Sequence, residues 1–176
     1  MRKLKNEELD RKSPDEFRAM EKLPIVVVLD NVRSAYNVGS VFRTADGFPI
    51  DGIYLCGITG HPPHKEIAKT ALGSTETVAW KYFKSTLDAI AELKAAGYKI
   101  YAIEQAEGSQ TLKDFNLTTL NLKLALVFGH EVDGVQQAVV DVCDGCIEIP
   151  QGGTKHSLNI AVSAGVVLWE FFRRKG

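Results

Sequence analysis

The amino-acid sequence predicts an α/β protein with a mostly parallel sheet flanked by helices. Three observations carry this prediction. Short runs of β-branched and apolar residues recur along the chain, and helical patterns separate them. Residues 25–29 (IVVVL) are continuously apolar, as a strand covered on both faces is, and residues 123–128 (KLALVF) are the clearest later strand. With 45% apolar residues, a chain of 176 can bury one ordinary core.

The elements follow in order. The first 22 residues or so are highly charged, and Ser13-Pro14-Asp15-Glu16 combines an N-cap, a proline at the first helical position and acids in the first turn. This predicts a short helix ending near Lys22. Residues 1–23 are read as an N-terminal helical extension and residues 24–176 as one domain. Residues 25–29 form the first strand, 37–45 a helix entered from a loop, and 52–56 the second strand. Residues 57–77 read as an irregular loop with a short helical piece, and 78–83 as a strand. Residues 86–96 form an amphipathic helix with Leu87, Ile90 and Leu93 on one face and Gly97 just past its end. Strands at 99–103, 123–128 and 146–149 follow, and a terminal helix runs over 157–173.

Composition narrows the function. The net charge of −1 does not advertise a nucleic-acid partner, although a local basic patch can sit inside a neutral total. Arg2, Lys3 and Lys5 at one end and Arg173, Arg174 and Lys175 at the other read either as phosphate contacts or as solvated termini. Three cysteines, an odd number, argue against a secreted disulfide scaffold. The N-terminus lacks an apolar signal core, and the longest apolar stretch, residues 160–169, is half a membrane span. A cytoplasmic protein with no membrane partner is expected.

Three segments combine glycines, polar residues and strand ends, where open α/β sheets bind ligands. In residues 29–46 (LDNVRSAYNVGSVFRTAD), Asn37 and Arg43 flank a helix start. Taken alone, this segment favours a capping asparagine and a solvated arginine. In residues 128–135 (FGHEVDGV), Gly129 permits close backbone approach beside Glu131, or the segment is a simple turn. In residues 149–171, a loop with Gly152 and Gly153 leads to Ser157, which opens an apolar helix and could be its cap alone. No G-x-G-x-x-G follows the first strand, and Thr154-Lys155-His156-Ser157 lacks the upstream glycine of a phosphate-binding P-loop. Cys143-Asp144-Gly145-Cys146 and His61-Pro62-Pro63-His64 read as a turn and a loop, and no metal is expected.

Taken together and in this order, the three segments resemble the signature motifs of the SpoU/TrmH branch of the SPOUT methyltransferases. NVGSVFR (37–43) matches N-x-G-x-x-x-R, FGHEVDG (128–134) matches F-G-x-E-x-x-G, and IPQGGTKHSLN (149–159) matches I-P-x-x-G-x-x-x-S-L-N. Gln151 stands where the family carries methionine, and Lys155-His156 is less typical of the loop. The resemblance covers about residues 24–172. It implies a C-terminal trefoil knot, a homodimer, S-adenosylmethionine as methyl donor, and RNA as substrate, either tRNA or rRNA with a lean to tRNA. It implies donor contacts at Gly129, Ile149 and Leu158, aided by the loop at Glu104 and Gln105. It implies catalytic roles for Arg43, Asn37, Glu131, Ser157 and Asn159, with Asn37 orienting Arg43 and methyl transfer to a ribose 2′-hydroxyl. A non-catalytic RNA-binding module, a base methyltransferase and a nucleotide-using enzyme are the competing readings.

Overall fold

The structure, a computed structural model, describes residues 1–116 and 123–175. Its strands are β1 (Leu23–Asp30), β2 (Ile50–Cys56), β3 (Trp80–Phe83), β4 (Lys99–Ile103), β5 (Gln110–Thr111), β6 (Leu124–Phe128) and β7 (Gly145–Glu148). They form one sheet in the order β3-β2-β1-β6-β4-β7-β5, with every pairing parallel. The helices are α1 (Pro14–Ala19), α2 (Ala35–Gly47), α3 (Lys65–Ala71), α4 (Thr86–Ala95), α5 (Gln137–Val140) and α6 (Ile160–Lys175).

The apolar run of β1 works on both faces at once. Leu23, Ile25, Val27 and Leu29 enter a core shared with α1, α2, α3 and α6. Val26 and Val28 enter a second core shared with α4 and α5. Period-two alternation of two apolar sets therefore reads as a continuous run in sequence. Among the described residues, no helix is long and apolar enough to cross a membrane.

Several predicted boundaries move. The first helix ends at Ala19, although its Ser13 N-cap is as predicted, and Glu16 reaches back to close a capping box. Its Phe17 is buried in the first core. In α4 the buried face is Thr86, Ala89, Ile90 and Leu93, while Leu87 is exposed. Thr86 takes the inward place because its hydroxyl donates to the buried Asp30 carboxylate at 2.6 Å. Val78 is buried but precedes β3, whose Trp80, Lys81 and Tyr82 are exposed at the sheet edge.

The 57–77 segment is better ordered than its composition suggests. His64 caps α3 by accepting from the Glu66 amide at 3.2 Å. The His61 ring lies over Trp80 and Tyr82, at centroid distances of 6.0 and 4.8 Å. Helix α3 then packs against α2 at Gly39, where a Cβ would stand 2.1 Å from Thr70 Oγ1 and 2.3 Å from the Ile67 carbonyl. Arg2 pairs with Glu8 at 2.7 Å and Arg173 with Glu170 at 2.5 Å. Arg174 pairs with Glu170 and donates to carbonyls of Leu112, Lys113 and Phe115, so it is a structural tie more than a free cation.

Candidate active site

Beyond the carboxyl ends of β4, β6 and β7 lies a cleft of about 860 Å³. Its walls come from residues 103–107 at the end of β4, 128–135 at the end of β6 and 157–160 leading into α6. Eight predicted site residues line it: Glu104, Gln105, Gly129, Glu131, Ile149, Ser157, Leu158 and Asn159. The chain reaches this arrangement through close backbone approach. A Cβ at Gly129 would lie 2.0 Å from the Gly134 carbonyl carbon and 2.1 Å from the Val135 nitrogen, so no other residue fits there unchanged. His130 and Gly134 exchange backbone hydrogen bonds at 2.9 and 3.0 Å, which closes the FGHEVDG turn on itself. Glu104 fastens that turn to β4 by accepting from the Val135 amide at 3.1 Å. Gln105 donates to the His156 carbonyl at 2.6 Å and ties the third segment to the same wall.

Polar side chains join the first, second and third segments. The Asn37 amide group donates to Glu131 Oε1 at 3.0 Å, and its Oδ1 accepts from Asn159 Nδ2 at 3.2 Å. Glu131 also accepts from the Arg33 and Ser34 amides at 3.0 and 2.9 Å. Burial pushes the Glu131 carboxyl up, but the amides of Arg33, Ser34 and Glu131 itself and the Asn37 side chain outweigh it. Its pKa lies below the ordinary carboxylate range. Asn159 Oδ1 accepts from the Ala161 and Val162 amides, so Asn159, not Ser157, caps the terminal helix. Helix α6 accordingly begins three residues later than predicted, and Ser157 turns into the cleft. Likewise Ser34 caps α2, and Asn37 sits inside its first turn.

Arg43 is elsewhere. It is exposed and has no hydrogen-bond or ion-pair partner among the described residues. Six residues along a helix displace it about 9 Å along the axis and about 120° around it from Asn37. Asn37 therefore does not orient Arg43 within one chain; it orients Glu131 and Asn159. Arg43 lines a second cleft of about 540 Å³ with Ser40, Thr44, Gly47, Phe48, Lys69, Thr70 and Gly165.

The two clefts have opposite polarity. The first is lined by Glu104, Glu107, Glu131, Asp133 and Glu148, with no lysine or arginine among the described residues. It suits a ligand carrying positive charge beside apolar parts, since Phe128, Ile149, Leu158 and Ile160 supply an apolar floor. The second holds, among the described residues, two cations and no carboxylate. Sequence reading missed Ser34 and the clamping roles of Glu104 and Asn159. Ser34 carried a signal, a serine three residues before Asn37 at a helix start.

Other candidates resolve as structure. Cys143 donates to the Val139 carbonyl at 3.2 Å, and burial pushes its thiol up to about 12. Cys56 is buried with the same outcome, also about 12. Among the described residues, no group of three or more His, Cys, Asp or Glu side chains stands together as a metal site.

Comparison with known proteins places this geometry. A sequence model of the SpoU rRNA Methylase family matches residues 24–169. A Staphylococcus haemolyticus protein named as a TrmH family tRNA/rRNA methyltransferase is 31% identical over 155 residues, covering 88% of this chain and 61% of that protein. This chain thus spans under two thirds of that relative's length. The AdoMet-bound rRNA methyltransferase from Sinorhizobium meliloti superposes with a TM-score of 0.80 at 30% identity, over 93% of this chain and 61% of that one. A structure reported for 2-OH methylation of C/U34 on tRNA gives 0.73 at 25% identity, over 86% and 95% of the two chains. With the family match spanning most of its length and all three motifs built into two adjoining clefts, the chain belongs to the SpoU rRNA methylase family.

Proposed function

We propose that this protein transfers the methyl group of S-adenosylmethionine to a ribose 2′-hydroxyl of RNA, with tRNA favoured over rRNA. The observation that carries the reading is the acidic cleft, where eight predicted residues meet around a space that fits a cationic, partly apolar ligand. The AdoMet-bound S. meliloti relative and the tRNA 2-OH methylation structure support the donor and the acceptor respectively.

The donor supplies an electrophilic methyl on a sulfonium sulfur. Gly129, Ile149 and Leu158 line its place, and Glu104 and Gln105 hold the walls together. In the reaction a C–O bond forms, the C–S bond breaks with its electron pair staying on the sulfur as a neutral thioether, and the hydroxyl proton passes to solvent water. Holding oxygen and methyl in line is the main task, and orientation of this kind contributes about 7–11 kcal/mol. The Asn37–Glu131–Asn159 triangle fixes the cleft mouth, with Ser157 beside it. An arginine, always charged below about pH 12, is a poor base, so Arg43 holds phosphate and stabilises negative charge developing on the 2′-oxygen.

Because Arg43 lines the second cleft and not the acidic cleft of its own chain, the reading includes a homodimer. Val162, Val166, Trp169 and Phe172 form an exposed apolar stripe along α6, and Phe48 packs on both aromatics. The same helix reaches the acidic cleft at Ser163 and the Arg43 cleft at Gly165. A second copy seated on this stripe brings Arg43 of one chain toward the acidic cleft of the other. The reading also takes residues 1–23 as an extension and 24–176 as a knotted catalytic domain in the cytoplasm. The 157–160 segment between walls at 103–107 and 128–135 supports that threading.

The test is transfer of labelled methyl from S-adenosylmethionine into unmodified tRNA and rRNA, followed by digestion to nucleosides. A labelled 2′-O-methylnucleoside is expected, and Arg43→Ala abolishes it while donor affinity persists. A labelled base instead of ribose, or absence of donor binding, overturns the reading.

A further inference from the structure

We propose that the cleft between α2, α3 and α6 is a phosphodiester-binding site in which Lys69 is the second cation beside Arg43. The inference rests on the RNA-substrate reading above and names how that substrate is held.

Four observations carry it. Among the described residues the cleft lining has two cations and no acidic residue. The nearest acid on α2, Asp46, is held away by the Thr77 hydroxyl at 2.8 Å. Neither Arg43 nor Lys69 has a hydrogen-bond or ion-pair partner among the described residues, although most arginines here are paired. The hydroxyls that line the cleft have their protons committed: Ser40 and Thr70 donate to the Tyr36 carbonyl at 2.9 Å and Thr44 to the Ser40 carbonyl at 3.0 Å. Donors for an anion must therefore come from the guanidinium and the ammonium.

The fold also builds the pair. Gly39, the glycine of N-x-G-x-x-x-R, lets α3 come within direct contact of α2. That contact sets Thr70 against the Tyr36 carbonyl and swings Lys69 over the Tyr36 ring, 5.9 Å from its centroid. Lys69 is thereby held on the same side of α2 as Arg43 instead of trailing in solvent. A planar fork that grips both non-bridging oxygens and a point charge that shares one of them match one phosphodiester. Such a contact positions the strand and reads no base, so Lys69 acts alike on every RNA sequence.

The experiment measures equilibrium binding of the full chain to an unmodified tRNA transcript between roughly 50 and 200 mM salt, alongside methyl transfer and donor affinity. Lys69→Ala is expected to weaken RNA binding about ten-fold and to reduce the salt slope by about 1. KM for RNA rises, kcat and donor affinity stay, and Lys69→Arg restores both affinity and slope. Unchanged affinity and slope in Lys69→Ala, or no rescue by arginine, overturns the clamp. RNA binding that responds to Lys69 in a wild type that transfers no methyl sinks the methyltransferase reading alone. A wild type that binds no RNA sinks both.

Discussion

Substituting Gly129 by alanine tests how the acidic cleft is built. The added Cβ would stand 2.0 Å from the Gly134 carbonyl carbon, 2.1 Å from the Val135 nitrogen and 2.2 Å from the Gly134 oxygen, all main-chain atoms. Ordinary contact begins near 3.4 Å, so the 128–135 turn must recede by about 1.4 Å. No side chain can rotate away to absorb that movement. The His130–Gly134 pair of hydrogen bonds and the Glu104 clamp on Val135 lie directly in its path. Losing two or three such bonds at about 1 kcal/mol each costs about 2–3 kcal/mol. For a chain of this length that lowers Tm by roughly 4–12 °C. The Glu131 carboxylate moves with the turn, so donor affinity falls as well, by about ten-fold for every 1.4 kcal/mol of binding lost. Differential scanning calorimetry and titration calorimetry with S-adenosylmethionine read the two effects. A Gly129→Ala protein with unchanged Tm and donor affinity refutes the account of the cleft as a backbone-on-backbone construction.

Gly39→Ala, normally worth about 1 kcal/mol of helix stabilisation, should destabilise by roughly 1–3 kcal/mol because the methyl meets Thr70 and Ile67; a rise in urea midpoint contradicts this. The Glu131 carboxyl has a folded pKa below its unfolded value of about 4.3, so its contribution is present above that pH and lost as pH falls through the folded pKa. The stability gap between wild type and Glu131→Gln, followed by urea titration, should close on acidification, and a gap constant down to pH 3 would count against it. Cys56 and Cys143, both pushed up to about 12 by burial, should resist iodoacetamide at pH 8 until the chain is unfolded, as peptide mass mapping would reveal.

Much of this architecture was legible in the sequence because burial on two faces leaves a simple trace. The IVVVL and KLALVF runs read as strands, and they lie side by side in the sheet, Ile25 opposite Leu124. The short edge strand β5 carried no such trace, since two residues of ladder need no pattern. Leu87 misled because its spacing from Ile90 and Leu93 is helical, while a buried carboxylate, Asp30, drew polar Thr86 inward in its place. The motif residues were found by resemblance, but their wiring was not. Asn37 faces Glu131 and Asn159, about a third of a turn around α2 from Arg43, and that depends on where α2 begins. Its start is set by the Ser34 cap, which single-residue reading passed over.

The hydrogen bonds that define the cleft mouth have a temporal consequence. Asn159 reaches Asn37 across 122 positions, and Glu131 reaches Arg33 and Ser34 across 98 and 97. Every pairing in the sheet is parallel, so little of it closes by local turns. Contacts of such long range make folding slow, in the millisecond-to-second regime of non-local topologies. During synthesis at about 5–20 residues per second, the stretch from Asn37 to Asn159 takes roughly 6–25 seconds to emerge. The first motif therefore waits, already made, for its partners, and a nascent chain cannot engage its ligands before the last motif has left the ribosome.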